Sequence, residues 1–129
     1  MKIIAVKSNS SEELIDITGQ VMAAVNESGA SEGLCCIYTP HTTAAVTINE
    51  NADPSVKRDI LAGLKSLGLE NVHYHHGEGN SAAHIKSSLV GASELVIIEN
   101  GKLQLGTWQG IYLCEFDGPR SRKVYVSVS

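Results

Sequence analysis

The pair Asn100-Gly101 constrains this chain more than any other two residues. It separates two apolar runs, residues 94–99 and 102–105. Asn-Gly supplies both positive-φ residues of a type I′ turn, whose twist matches that of two antiparallel strands. A hairpin here commits the sequence to antiparallel pairing. Residues 2–7, 33–39, 44–48, 72–76, 111–116 and 123–128 read as further strands. Residues 14–17 read as a strand or as the start of the next helix. Gly106-Thr107-Trp108-Gln109-Gly110 reads as a loop, or as a bulge carrying a core Trp.

Helical signals are fewer. Thr18 is the expected N-cap of a helix whose stripe is Val21, Met22 and Val25, ending at Ser28-Gly29. Asp53-Pro54 is a stronger start, with Asp capping and Pro at the first helical position. Val56, Ile60, Leu61, Leu64 and Leu67 then recur at helical spacing, and Gly68 closes the run. Residues 81–90 can form a short helix ending at Gly91. The expected fold class is α+β: one compact domain over residues 1–129, with a largely antiparallel β-sheet and two main helices.

Composition narrows the function classes. The net charge of −4 argues against non-specific nucleic-acid binding, which needs a basic face. No apolar run approaches the ~20 residues of a membrane span, and residues 1–6 lack the features of a signal peptide. Cys35, Cys36 and Cys114 are odd in number and have no framework spacing. Free thiols in a reducing cytoplasm are the expected reading.

Chemistry concentrates in the histidines. His73, His75, His76 and His84 fall within twelve residues, and His41 stands apart in Pro40-His41-Thr42-Thr43. Imidazole titrates near neutral pH and is the commonest metal ligand. If residues 72–76 are extended, His76 shares a face with Val72 and Tyr74, while His73 and His75 share the other. All four rings then cannot meet one ion. His41, His76 and His84 can supply three imidazoles to a divalent metal. Thr42 and Thr43 can bind an anion or orient the ring beside them, although a plain surface corner fits as well. Ser87 and Ser88 neighbour His84 on its helical face.

Other candidates lie further out. Glu50, at a strand-to-helix junction, is a possible acid/base. Trp108 and Gln109 offer a stacking face and an amide between two glycines. Lys86, Arg120 and Arg122 are candidates for phosphate contacts, against the plainer reading of the arginines as a solvated loop. Cys114, alternating with Tyr112 and Phe116, reads as a buried thiol.

Five blocks together resemble one family. They are Pro40-His41-Thr42-Thr43-Ala44, the run from Thr47 to Pro54, Gly77-Glu78-Gly79-Asn80, the run from Ala83 to Leu89, and the run from Leu105 to Tyr112. These resemble the YjbQ family, labelled a secondary thiamine-phosphate synthase family, and the likeness spans nearly the whole chain. It implies a small antiparallel α+β domain in a homotrimer. It implies a site gathering His41, His84 and a histidine before the glycine turn, His76 with His75 as rival. The implied cofactor is a divalent metal, zinc first and magnesium second. The implied activity is a weak transferase reaction joining a pyrimidine diphosphate to a thiazole phosphate, with pyrophosphate released. At 129 residues the chain is too short for the TIM barrel of the main class of such synthases.

The expected function is therefore a metal-dependent enzyme acting on a small phosphorylated substrate. His41, His84 and Glu50 are its catalytic candidates, and Thr42, Thr43, Lys86, Ser88, Trp108, Gln109, Arg120 and Arg122 its ligand contacts. The alternatives are a non-catalytic trimer binding a small anionic ligand, and a metal-dependent hydrolase.

Overall fold

A computed structural model describes all residues, Met1–Ser129. Eight strands and three α-helices follow one another in mixed order. They are β1 (Lys2–Lys7), β2 (Glu13–Asp16), α1 (Thr18–Ser28), β3 (Gly33–Tyr38), β4 (Ala44–Glu50), α2 (Pro54–Lys65), α3 (Ser81–Val90), β5 (Ser93–Glu99), β6 (Lys102–Leu103), β7 (Gln109–Glu115) and β8 (Ser121–Val128). A 3-10 turn spans Leu69–Asn71. No helix is long and apolar enough to cross a membrane.

The strands form two sheets rather than one. The larger has the order β1-β8-β3-β5-β6 and the smaller β2-β7-β4. Every pairing is antiparallel. The β5–β6 hairpin turns at Asn100 and Gly101, with φ of 54° and 74°. Both lie in the left-handed region that the type I′ turn requires.

The strand residues sort by alternation. The inward positions Ile4, Val6, Cys35, Ile37, Val96, Ile98, Val124 and Val126 of the larger sheet meet Ala44, Val46, Ile111 and Leu113 of the smaller, with α1 joining through Val21, Ala24 and Val25. The smaller sheet is covered on its other face too. There Leu14, Ala45, Tyr112 and Cys114 pack against Ala83 of α3 and against Ile60, Leu61 and Leu64 of α2. β7 is thus buried on both faces, so its sequence is almost continuously apolar. Cys114 is buried as expected, and all three cysteines are free thiols.

Helix ends follow local chemistry. The Asp53 carboxylate accepts from the Ser55 backbone N–H at 2.9 Å, and Pro54 opens α2. Thr18 is not the cap that its sequence position suggests. It is the first helical residue of α1; its hydroxyl donates to Asp16 and accepts the Ile111 N–H at 2.9 Å. The side chain has been taken for tying α1 to β7. α2 ends at Lys65 and is capped by Ser66, two residues before Gly68.

Residues 72–76 are not a strand. The 3-10 turn precedes them, and the Tyr74 hydroxyl folds back to donate to the Leu69 carbonyl at 2.6 Å. No neighbouring strand offers them a ladder. Trp108 is 63% exposed, so it is no core residue either.

Candidate functional site

A cleft of about 320 Å³ opens where five segments of the chain meet, and none of its ten lining residues is hydrophobic. The turn from β3 to β4 contributes His41, Thr42 and Thr43. The loop before α3 contributes His76 and Glu78, and α3 itself presents His84. Asp117 and Arg120 come from the turn between β7 and β8, and Arg122 from β8. A polar cleft of this kind is held open by hydrogen bonds, and most of them can be traced.

The deepest anchor is an ion pair. Arg122 and Glu115 are 4% and 0% exposed. Arg122 donates from Nε to Glu115 Oε1 at 2.8 Å and from Nη2 to Glu115 Oε2. Nη2 also donates to the Thr43 hydroxyl at 2.9 Å and to the Thr43 carbonyl at 3.2 Å. Ser8 donates to Glu115 at 2.6 Å, and the Asp117 N–H donates to it at 3.0 Å. Burial works against the Glu115 charge, but the Arg122, Ser8 and Asp117 bonds outweigh it and hold the carboxyl below its usual value. Nε and Nη2 are consumed, while Nη1 has no partner in the chain and belongs to the cleft wall.

His41 is fixed by the backbone. The Lys123 N–H donates to its Nε2 at 2.9 Å. Burial lowers the His41 pKa, and the nearby Arg122 charge lowers it further. The ring is therefore neutral at physiological pH, with its lone pair on Nε2 and its proton on Nδ1. A neutral imidazole has one lone pair, and this one is spent. His41 is thus a donor, and its expected place as a metal ligand does not fit.

His76 and His84 fit such a place better. Their rings meet edge-on with centroids 5.4 Å apart. Two imidazoles that each ligate one ion at ~2 Å stand at about this separation. Asn80 adds an oxygen. Its Nδ2 donates to Asp117 Oδ2 at 2.9 Å, which fixes the amide orientation, and its buried Oδ1 has no partner. Arg120 also bonds Asp117 Oδ2, at 3.0 Å. Burial opposes the Asp117 charge, and the Asn80 and Arg120 bonds more than offset it, so its pKa is lowered. No three His, Cys, Asp or Glu side chains converge as a ready metal cage. His76, His84 and the Asn80 oxygen are donors of the kinds a divalent cation takes, whereas the bond at its Nε2 removes His41 from a three-imidazole set.

The structure rearranges the remaining candidates. Thr42, Thr43, Arg120 and Arg122 do line the cleft. Ser88 lies beside it on α3, but its hydroxyl donates back to the His84 carbonyl at 3.0 Å. Lys86 is turned away: its ammonium donates to Glu12 at 2.8 Å and to Glu70 at 2.5 Å, with 2% of the side chain exposed. Burial alone would lower its pKa, but the two carboxylates raise it. It is a clasp between α3 and the 3-10 turn, not a phosphate contact.

Glu50, Trp108 and Gln109 lie elsewhere. Glu50 pairs with Gln109 at one end of the β4–β7 ladder, and Ala44 pairs with Glu115 at the other. Six residues of strand at ~3.3 Å each separate the two ends by about 20 Å. Glu50 is therefore no acid or base for His41 or His84 within one chain. Gln109 Oε1 accepts the Gly106 N–H at 2.8 Å and so shapes its own turn. His75 is exposed and absent from the cleft lining, so His76 takes the place the two shared.

Sequence reasoning missed Asn80, Asp117, Glu78 and Glu115. Glu78 and Asn80 stood in the Gly77–Asn80 block that carries part of the family resemblance, and Asp117 was marked only by the glycine after it. Nothing marked Glu115, whose role depends on Arg122 seven residues away.

The UPF0047 YjbQ-like family model matches residues 2–129. A UPF0047 protein of Methanocaldococcus jannaschii is 57% identical over 123 residues, covering 95% of this chain and 89% of its own. The UPF0047 protein YugU of Bacillus subtilis is 54% identical over 129 residues, covering 99% and 98%. An uncharacterised YjbQ/UPF0047 protein of Clostridium acetobutylicum has a crystal structure with TM-score 0.97, 55% identity and full coverage of both chains. A protein of unknown function from Sulfolobus solfataricus superposes with TM-score 0.94 at 36% identity, over 98% of this chain and 94% of its own. By sequence and fold alike, the chain belongs to the YjbQ-like UPF0047 family.

Proposed function

We propose that the histidine cleft is the active site of an enzyme acting on a small phosphorylated substrate, a transferase of the thiamine-phosphate synthase type. The observation that carries this reading is the meeting of three imidazoles with two guanidinium groups in one wholly polar cleft. Arg122 offers its free Nη1 edge to a phosphate, and Arg120 stands beside it. Guanidinium is suited to that partner because its planar fork matches two phosphate oxygens. The His41 Nδ1–H and the Thr42 hydroxyl add neutral donors. His84, with its second nitrogen, is the group placed to hold or move a proton at the reacting oxygen.

His76, His84 and the Asn80 amide oxygen are the residues that would hold a divalent cation, zinc first and magnesium second. Bound there, it would neutralise charge on a departing pyrophosphate. A binding-only reading has its own support. Arg120 and Arg122 are each already paired with a carboxylate, and the Nε2 of His41 is spent on the backbone.

One experiment separates the readings. The protein is incubated with a pyrimidine diphosphate, with and without a thiazole phosphate, and released pyrophosphate is measured. Release that needs both substrates supports the transferase. Release of phosphate or pyrophosphate from the first alone indicates a hydrolase. Saturable binding with no release leaves an anion-binding protein.

A homotrimer and a cytoplasmic location belong to the same proposal. Supporting the first, the outer face of the larger sheet exposes Ile3, Leu34, Tyr38, Leu95 and Ile97. Leu34, Tyr38, Leu95 and Ile97 lie on the paired strands β3 and β5, and Ile3 lies on β1, beyond β8. A monomer by light scattering would remove it. Supporting the second are three free thiols.

A further inference from the structure

The cleft does not stop at the imidazoles. His41, Thr42 and His84 also form one wall of a second depression of about 340 Å³. Its other walls are Ala44, Ser87, Ser88, Gly91 and Ala92. The two lobes share the same two rings and differ in chemistry. The first carries guanidinium and carboxylate groups; the second has no charged lining residue, and its surface is mostly carbon.

One polar atom in the second lobe is unexplained. Ser87 is 8% exposed, and its hydroxyl has no partner. A serine inside a helix ordinarily bonds back to the carbonyl four residues earlier. The neighbouring Ser88 does so, donating to the His84 carbonyl. Ser87 does not, so a buried donor and acceptor is left without a partner on a residue that lines the lobe. A buried hydroxyl without a partner is costly to maintain, which makes such an atom informative.

We propose that the second lobe is a subsite for the uncharged carbon body of the substrate, and that Ser87 selects it through one hydrogen bond. The inference rests on the reading of the first lobe as the phosphate site. Each lobe is at the small end of ligand pockets, which begin near roughly 300 Å³. The ligand class is a phosphomonoester of a short neutral alcohol that bears one further hydrogen-bonding group. The phosphate lies toward Arg122, the body lies toward Ser87, and His41 and His84 flank the ester linkage between them.

Calorimetric titration with inorganic phosphate and with glycerol 3-phosphate tests this. The ester binds the unaltered protein about tenfold more tightly than inorganic phosphate, the gain expected of one well-made buried contact. Ser87→Ala removes most of that gain and leaves inorganic phosphate binding unchanged. Ala92→Phe, at an exposed position where folding is not at risk, fills the lobe and removes the gain by exclusion. Equal affinity for the two probes on the unaltered protein overturns the subsite while leaving the phosphate reading intact. So does a gain that survives both substitutions. Failure of inorganic phosphate and the ester to bind at all removes the phosphate reading, and the subsite with it.

Discussion

Two buried cations lie close to the cleft, and they do different things. Lys86 and Arg122 both look from sequence like phosphate contacts, and both are paired with carboxylate in the structure. The Lys86 ammonium is a point charge, and Glu12 and Glu70 close around it. The Arg122 guanidinium is a plane with several edges. Glu115 and Thr43 take one side and leave Nη1 to the cleft. Burial therefore does not decide whether a cation keeps a donor free; the number and direction of its donors does.

The comparison can be broken most forcefully at Glu115. Glu115→Gln leaves the Arg122 charge, only 4% exposed, with no carboxylate partner. A stability loss of about 3–5 kcal/mol by chemical denaturation is expected. Lys86→Met should cost less, about 1–2 kcal/mol, because Glu12 and Glu70 are 28% and 42% exposed and can rehydrate. Equal losses in the two variants would erase the distinction.

Affinity sharpens it further. Arg122→Lys keeps the charge but cannot serve Glu115, Thr43 and a ligand together, so inorganic phosphate should bind about tenfold more weakly. Lys86→Met should leave phosphate affinity within about twofold. A loss of affinity in Lys86→Met similar to that in Arg122→Lys would place Lys86 in the site after all.

The smallest effect concerns pH. The Glu115 pKa is lowered in the fold, so the unfolded chain binds the proton more readily. The stability it contributes is fully present above its unfolded value and is lost as pH falls through the lower folded one. Stability measured against pH in the acid range should therefore fall less steeply in Glu115→Gln than in the unaltered protein. Parallel slopes would show that Glu115 is not the group being titrated.

Much of the fold was legible because local chemistry decided it. Asn100-Gly101 and Asp53-Pro54 each force a backbone geometry, and both elements form where expected. Residues 72–76 were misread because alternation over five residues says nothing about whether a partner strand exists. The division into two sheets was also invisible, since sequence alternation marks a buried face but not what covers it. In the site, His41, His84 and Arg122 sit in recognisable surroundings. The roles of His41 and Arg122 depended on bonds to Lys123 and Glu115, and that of Asn80 on its bond to Asp117. A tautomer or a free guanidinium edge is set by such bonds, so no reading of spacing could supply it.

The order of the larger sheet has a consequence for how the molecule is made. β8 lies between β1 and β3, and it is the only partner of β1. During synthesis the first strand must wait, unpaired, until residues 121–128 have left the ribosome. Arg122 travels on that same strand, so the histidine cleft cannot be complete before the sheet is closed. Pairing over so long a separation is slow, and the waiting edge is open to wrong partners. Ligand binding in a translating or refolding sample would therefore report completion of the whole fold rather than of any part.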